Sequence, residues 1–213
     1  TAKRVTVEEK HEVKKAGGVY YTPKYIVDYI VRSTVGKLIE GKTPEQIAKL
    51  RFADIACGSG SFLIGVFDCL IDYHNKYYQR NPRKAEKDGC IRKEGQYILS
   101  LRQKERILVH NIYGIDIDSQ AVEVTQLSLY LKLLEDETTA TINDRWLLFK
   151  EKEQILPPLH KNIICGNSLI GMDILYSDLF SNGDTEKLLN PMNVEDAFKN
   201  IMQNGGFNAI VGN

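Results

Sequence analysis

The sequence lacks the features that mark a zinc-bound, secreted or membrane-spanning chain. Its four cysteines are widely spaced and form no C-x-x-C pair: Cys57, Cys69, Cys90 and Cys165. Because zinc needs closely grouped cysteines and histidines, no metal site is expected. The chain also has no apolar N-terminal signal and no apolar run long enough to span a membrane. These absences predict a cytoplasmic protein with reduced thiols and no membrane partner.

The sequence also lacks a net charge, since 28 lysines and arginines balance 28 aspartates and glutamates. The overall charge therefore gives no support for nucleic-acid binding, although charge can be segregated along a chain. A basic insertion covers about residues 79–106 and, counted with the nearby Lys76, holds ten lysines and arginines against four acids. Two interpretations remain open: the insertion is a solvated surface, or it contacts DNA phosphates.

The stretch FADIACGSGSFL, which begins at Phe52, contains a glycine-rich turn. Its first residues predict a short buried strand, Gly58 and Gly60 a tight turn, and the apolar residues after them a helix. Without a Cβ, both glycines can take a positive φ and let a ligand lie against backbone amides at the helix N-terminus. The third glycine of the dinucleotide fingerprint is absent, because its position holds Leu63. The strand ends at Asp54, which is expected to face the ligand.

Hydrophobic periodicity predicts further elements on both sides of this turn. Residues 1–17 predict a linker or the end of an upstream region, and Thr22 is a good N-cap for an amphipathic helix that begins at Pro23. The other predicted elements are a short helix from Thr43 with Gln46 in a capping box, a strand over Ile112–Ile117, a helix capped by Asp118, a strand over Asn162–Cys165, a helix from Asn193 and a strand in FNAIVGN. Strands and helices therefore alternate along the chain.

Polar residues again end the later predicted strands. Asp116 stands at the carboxyl end of a strand expected beside that of the glycine turn, where a nucleotide ribose is held through both hydroxyls. Its distance in sequence from the glycines exceeds the usual separation of about 20 residues, and the basic insertion accounts for the excess. Asn167 follows the next strand. Its amide could bind an adenine edge, or its backbone could take the left-handed conformation of a turn.

The motifs occur in the order YYTP, DIACGSGSF, YGIDID, IICGNSL and GGFNAIVGN. In this order they resemble the gamma class of adenine-specific (N6) DNA methyltransferases, particularly the methyltransferase region of fused type II (type IIG) restriction-modification enzymes. Ile55 replaces the proline usual in the second motif. The resemblance covers about residues 18–213 and implies an α/β fold, a Rossmann-like S-adenosylmethionine-dependent methyltransferase sheet with helices on both faces. The family's last strand leads into Asn-Pro-Pro-Tyr, so Asn213 is expected to begin that motif, with the C-terminal strands missing.

The resemblance also implies which residues hold the methionine part of S-adenosylmethionine. Tyr21 and Thr22 would lie by the methionine end of this cofactor. Asp54 would contact its amino acid portion. The backbone of the glycine turn would surround the same portion at three positions: Ala56, Gly58 and Gly60.

The nucleoside part of the cofactor would be held by residues that follow the later strands. Asp116 would bind the ribose, and Ile117 would pack on the adenine ring. Asn167 would address the amino edge of the adenine, where the family often has Asp. Ser168 stands at the adjoining cofactor-binding position, where the family frequently has an aromatic residue.

The resemblance further implies transfer of a methyl group to the exocyclic amine of adenine in double-stranded DNA. Asn213 would accept hydrogen bonds from that amine, as part of a restriction-modification system with fused or associated nuclease and target-recognition domains. The 213-residue chain alone is expected to bind the cofactor without methylating DNA. Three alternatives remain open: an RNA methyltransferase, a protein-glutamine methyltransferase, and a non-catalytic cofactor-binding module of a restriction complex.

Overall fold

The computed structural model describes residues 22–135, 137, 156–176 and 189–213. The linker or upstream end predicted for residues 1–17 and the cofactor contact predicted for Tyr21 lie outside these residues. Within them, no helix combines the length and apolar character that crossing a membrane requires.

Short and long helices alternate with short strands in the described part of the chain. The α-helices are α1 (Lys24–Val31), α2 (Lys37–Ile39), α3 (Pro44–Ile47), α4 (Ser61–Arg80), α5 (Pro82–Asp88), α6 (Leu101–Asn111), α7 (Ser119–Leu134), α8 (Val194–Ala197) and α9 (Lys199–Gln203). A π-helical turn covers Arg32–Gly36, and a 3-10 helix covers Met172–Tyr176. The strands are β1 (Phe52–Asp54), β2 (Ile91–Lys93), β3 (Gln96–Ile98), β4 (Ile112–Asp116), β5 (Ile163–Cys165) and β6 (Ala209–Ile210).

Four of these strands form a parallel sheet in the order β5-β4-β1-β6. Asp54 of β1 lies beside Gly114 of β4, and Asp116 of β4 lies beside Cys165 of β5. Because the carboxyl ends of parallel strands meet at one edge, both aspartates lie at the edge where α/β proteins bind ligands. The predicted α/β fold with a parallel sheet is therefore confirmed.

Helices cover both faces of the sheet, as predicted. On one face α4 packs so closely that a Cβ on Gly114 would lie 2.8 Å from Leu63 Cδ1. On the other face the ring of Tyr113, the preceding residue of β4, lies 5.7 Å from each of the rings of Phe198 and Phe207. Neighbouring strand residues point to opposite faces, so these two contacts belong to different layers. Fully buried side chains of the core include Phe52, Leu63, Phe67, Leu70, Leu108, Ile112, Leu129 and Leu133.

The first helix is amphipathic as predicted but begins differently. Its N-cap is Pro23, whose carbonyl accepts hydrogen bonds from Ile26 and Val27, and no side chain of the described residues caps it. The predicted capping role of Thr22 is therefore wrong, because its hydroxyl is turned to another partner. Val27 faces α4, where a Cβ on Gly65 would approach Val27 Cγ1 to 2.7 Å.

Other local predictions hold in part. Thr43 and Gln46 form the predicted capping box of α3, and Asp118 caps α7 by accepting from Gln120 N at 2.9 Å. The single helix predicted from Asn193 is wrong, because the helix breaks at Phe198 into α8 and α9. Burial of the Phe198 ring between two other aromatic rings gives the physical reason for the break.

The basic insertion has regular structure. It comprises the end of α4, helix α5, a hairpin of β2 and β3, and the start of α6. Part of its positive charge is paired: Lys84 forms ion pairs with Glu45 and Asp88, and Lys104 pairs with Glu137 at 2.8 Å.

Candidate active site

The glycine turn between β1 and α4 is tied to the neighbouring strand. Cys57 N donates to the carbonyl of Ile115 at 2.9 Å, and Gly60 N donates to the Cys57 carbonyl at 2.8 Å. Gly60 has a φ of +84°, and a Cβ there would lie 2.9 Å from Thr125 Cγ2. Both the backbone conformation and the space therefore require glycine at position 60.

Gly58 has a different role in the same turn. Its φ is +52°, and a Cβ on it would meet no atom of the described residues within 4 Å. The turn thus presents bare backbone to open space at Gly58. Its amide donates to Oδ2 of Asp116 at 2.7 Å, so a carboxylate at the end of β4 holds the turn.

Thr125 of α7 holds the glycine turn through a side-chain hydrogen bond, a role that sequence reasoning missed. It is fully buried, and its hydroxyl donates to the Gly58 carbonyl at 2.7 Å. The available signal was a polar residue on the otherwise apolar inward face of α7, beside Val122 and Leu129. A buried hydroxyl needs a hydrogen-bond partner, so the inward position of Thr125 indicated a contact with the backbone.

Asp54 lies just before the turn and is only 3% exposed. Burial, with a smaller contribution from the nearby charge of Asp116, raises the pKa of the Asp54 carboxyl to about 6, while its hydrogen bond from Ala56 N acts in the opposite direction. That bond is 3.1 Å long. The segment after β6 also packs close to the Asp54 carboxyl, since a Cβ on Gly212 would lie 3.2 Å from Asp54 Oδ1. The site therefore holds a carboxyl that changes charge within the physiological range or just below it.

Each carboxylate oxygen of Asp116 accepts one hydrogen bond from a backbone amide. Oδ2 accepts from Gly58, and Oδ1 accepts from Asp118 N at 3.0 Å. A carboxylate has about four lone-pair sites, so both oxygens keep acceptor capacity for a ligand. Ile117 follows with half of its surface exposed, at the same edge of the sheet.

Cys57 is no nucleophile in this setting. Its thiol is buried, and that burial, helped by the charge of Asp54, raises the pKa of Cys57 to about 12. All four cysteines of the chain are free thiols in the structure. The thiolate is the reactive form of cysteine, so the chemistry of the site must use other groups.

Ser168 and Asn167 follow β5 at the same edge. Ser168 Oγ donates to the Ile55 carbonyl at 2.7 Å, which joins this loop to the start of the glycine turn. Asn167 pairs through its backbone with Asn190, and its Oδ1 accepts from Leu169 N at 3.0 Å. The left-handed conformation considered for Asn167 is wrong; Asn190, with a φ of +41°, adopts it instead. The backbone bridge to Pro191 keeps Asn167 extended.

The tail after β6 places Asn213 beside Thr22, at the start of α1. Val211 N donates to the Ala53 carbonyl at 2.9 Å, which continues the pairing with β1. Two residues later, Asn213 Nδ2 donates to Thr22 Oγ1 at 2.8 Å. The structure therefore brings the ends of four strands and the start of α1 together around the glycine turn. All of the predicted site residues except Tyr21 are described and lie at this edge: Thr22, Asp54, Ala56, Gly58, Gly60, Asp116, Ile117, Asn167, Ser168 and Asn213.

Residues 110–213 match the family model of the Eco57I restriction-modification methylase. The chain is 39% identical over 201 residues to the type II restriction enzyme and methyltransferase RM.Eco57I of Escherichia coli. This chain is a relative of the restriction-modification methyltransferases. That alignment covers 92% of the chain and 17% of RM.Eco57I.

A second relative comes from Methanocaldococcus jannaschii, the putative type II restriction enzyme and methyltransferase RM.MjaORFECS2P. It is 27% identical over 195 residues, which cover 74% of the chain and 15% of the relative. Among solved structures, a nuclease-deletion mutant of the Type ISP restriction-modification enzyme LlaGI, in complex with a DNA substrate mimic, matches with a TM-score of 0.47 and 15% identity. That match covers 93% of the chain and 13% of LlaGI. The chain thus spans less than a fifth of the length of the curated restriction-modification methyltransferases that it matches.

Proposed function

We propose that this chain forms the cofactor-binding part of an adenine-specific DNA methyltransferase in a restriction-modification system. The observation that carries the proposal is the position of Asn213, which lies against Thr22 and two residues after the contact of the tail with β1. An amide oxygen is thereby held at the sheet edge that also carries the glycine turn and Asp54. The names of both curated relatives join a restriction enzyme to a methyltransferase, which supports DNA over RNA or protein glutamine as the substrate.

The chemistry of the residues at this edge supports S-adenosylmethionine as the cofactor. Gly58 offers backbone without a side chain, which leaves room for the amino acid portion of the cofactor. Ionised Asp54 would accept from the ammonium group, and Asp116 would accept from the ribose hydroxyls. Exposed Ile117 offers an apolar surface for the adenine ring. When bound, the cofactor supplies a sulfonium methyl that is already electrophilic.

Asn213 would act on the substrate side of the site. Its Nδ2 already donates to Thr22, so its Oδ1 is the group that would accept hydrogen bonds from the exocyclic amine of adenine. These bonds would orient the nitrogen lone pair and raise its nucleophilicity, and no strong base is needed. Catalysis would then rest mainly on holding the amine in line with the methyl group.

The position of the basic insertion bears on how DNA would bind. The glycine turn lies at the N-terminal end of α4, and the insertion begins at its C-terminal end, 20 residues later. A helix of this length spans about 30 Å, so the insertion lies well away from the proposed methyl-transfer site. This distance and the ion pairs of Lys84 favour a solvated surface over contact with the DNA around the target base.

Methyl-transfer and binding assays test the proposal together. The 213-residue chain should bind S-adenosylmethionine in calorimetry and leave adenine-containing duplex unlabelled. Extracting the base costs about a few kcal/mol, and the stacking aromatic expected to follow Asn213 is needed to offset that cost. Turnover by this chain above a no-enzyme control would show that the catalytic motif lies elsewhere.

The substrate is tested in the longest natural polypeptide that carries this sequence. It should label an adenine-containing duplex, and prior N6-methylation of the adenines should block the label. Label that enters cytosine, RNA or protein instead would contradict the adenine assignment. Cytoplasmic location and fused nuclease and recognition domains belong to the same proposal.

A further inference from the structure

We infer that Thr125 is a positioning residue of the proposed cofactor site, which holds the glycine turn in the conformation that S-adenosylmethionine needs. This inference rests on the proposed function and assigns to Thr125 a share of the cofactor affinity. Thr125 lies 67 positions after Gly58 in sequence and is 0% exposed. A side chain with no accessible surface touches no ligand, so its effect on affinity must pass through the turn.

The hydrogen bond from Thr125 has only one possible direction. A backbone carbonyl can only accept, so the Thr125 hydroxyl donates its single proton to the Gly58 carbonyl, at 2.7 Å. The peptide group on the other side of Gly58 is held from β4, since Gly58 N donates to Asp116 Oδ2 at 2.7 Å. The peptide groups on both sides of the Gly58 Cα are therefore fixed by side chains from two different elements.

The Thr125 side chain also packs against two other residues of the turn. A Cβ on Gly60 would lie 2.9 Å from Thr125 Cγ2, so the methyl group fills the space beside this glycine. Cys57 Sγ lies 3.9 Å from Thr125 Oγ1. The hydroxyl and the methyl group thus act on different residues, and together they stabilise the turn from Cys57 to Gly60 as one unit.

The direction of the Gly58 carbonyl decides where the next amide points. In a planar trans peptide the C=O and N–H bonds point in opposite directions, and the described chain has no cis peptide bond. The Ser59 N–H therefore points away from Thr125, and it has no acceptor among the described residues. The amides of Ala56, Gly58 and Gly60 already donate to neighbouring groups. Thr125 thus turns the unpaired backbone donor at Ser59 away from α7, where it is available to a ligand.

Loss of the Thr125 hydroxyl would release this peptide group. The Gly58 carbonyl would lose its buried donor, and glycine permits a wide range of backbone conformations at that position. One such hydrogen bond is worth about a tenfold change in population. Because the apparent Kd rises as the fraction of binding-competent turn falls, cofactor affinity should weaken by about the same factor.

The test measures S-adenosylmethionine binding by calorimetry in the longest natural polypeptide that carries this sequence. Thr125→Val removes the hydroxyl and keeps the shape, so we expect the Kd to rise about tenfold. Thr125→Ser keeps the hydroxyl and loses only the methyl group, so its Kd should stay within about threefold of wild type, since the hydrogen bond is retained.

Tyr130→Phe is the matched control. It removes a hydroxyl of the same helix that also donates to a backbone carbonyl at 2.7 Å, but this carbonyl belongs to Pro157, before β5, and not to the glycine turn. Both Tyr130→Phe and Thr125→Val should lower the urea midpoint of unfolding, because each deletes one hydrogen bond. Only Thr125→Val should change the Kd for the cofactor.

Two results would contradict the inference. The first is a wild-type Kd in Thr125→Val. The second is an equal rise of the Kd in Tyr130→Phe, because affinity would then follow general stability and not the turn. If Thr125→Val does not fold, the Thr125→Ser variant decides: a Kd close to that of wild type supports the inference, and a rise of about tenfold with the hydroxyl retained contradicts it.

A measurement without ligand separates this inference from the proposed function. Cys57 is 5% exposed and lies in the turn beside Thr125, so iodoacetamide reaches its thiol only when the turn opens. Mass spectrometry of the peptide that contains Cys57 should show about tenfold faster alkylation in Thr125→Val, and a wild-type rate in Tyr130→Phe. Equal rates in Thr125→Val and wild type would overturn the inference whatever the protein binds. Faster alkylation, together with a wild-type protein that binds no S-adenosylmethionine, would overturn the proposed function and still show that Thr125 holds the turn.

Discussion

Replacing Asp116 by alanine removes the group that serves both the glycine turn and the proposed ribose site. The carboxylate accepts from Gly58 N at 2.7 Å and from Asp118 N at 3.0 Å. Two further bonds to ribose hydroxyls would each contribute about 1.5 to 3 kcal/mol, because hydrogen bonds to charged groups lie in that range. The loss should therefore weaken cofactor binding by well over tenfold, since each 1.4 kcal/mol is about tenfold.

Asp118→Ala provides the matched control for this experiment. It removes the same charge two positions away and deletes the cap of α7, a bond of 2.9 Å to Gln120 N. Loss of a cap costs about 1 kcal/mol of stability and should leave cofactor affinity within twofold of wild type. Calorimetry with the demethylated product of S-adenosylmethionine, after circular dichroism has shown that both variants fold, gives the two affinities.

Equal affinities in Asp116→Ala and Asp118→Ala would refute the ribose assignment. Asp116→Asn refines the result, because an amide keeps one acceptor oxygen and loses the charge. If the charge carries most of the interaction, Asn should resemble Ala in affinity. If the hydrogen bond that holds the glycine turn contributes most, the cofactor affinity of Asp116→Asn should lie between those of Asp116→Ala and wild type, since the amide oxygen can still accept from Gly58 N.

The remaining predictions concern the turn and its buried acid. Burial raises the pKa of Asp54 to about 6, so cofactor affinity should rise as pH increases through about 6, and Asp54→Asn should give a flat profile in calorimetry. Because this pKa is raised in the folded chain, the native state binds more protons than the unfolded state between about pH 4 and 6. The free energy of unfolding should therefore fall by up to about 3 kcal/mol as the pH increases from about 4 to 6. Urea titrations at several pH values would detect this loss of stability. Gly60→Ala should destabilise the chain by about 1 to 3 kcal/mol, because its Cβ would lie 2.9 Å from Thr125 at a positive φ. Gly58→Ala meets no such neighbour in the described structure, so it should cost less stability and mainly lower cofactor affinity; the reverse ranking in urea denaturation would contradict the roles assigned to the two glycines.

Local signals predicted the central motif well because they depend on neighbouring residues. The strand, turn and helix around Gly58 and Gly60 follow from apolar runs interrupted by residues without a Cβ. The caps at Thr43 and Asp118 follow from short polar side chains placed just before helical periods. The same reasoning failed at Thr22 and at Phe198, where a distant partner competes with the local preference.

The sequence by itself determined the order along the chain of the four strands of the parallel sheet and the helix after the glycine turn, since these are encoded in spacings of a few residues. Only the tertiary structure decided which polar groups meet. Asp116 reaches Gly58 because β4 pairs with β1 in a particular register, and Asn213 reaches Thr22 because β6 pairs with the opposite side of β1. Strand pairing over such separations depends on the burial of the whole sheet between helices, a property that no short stretch of sequence contains.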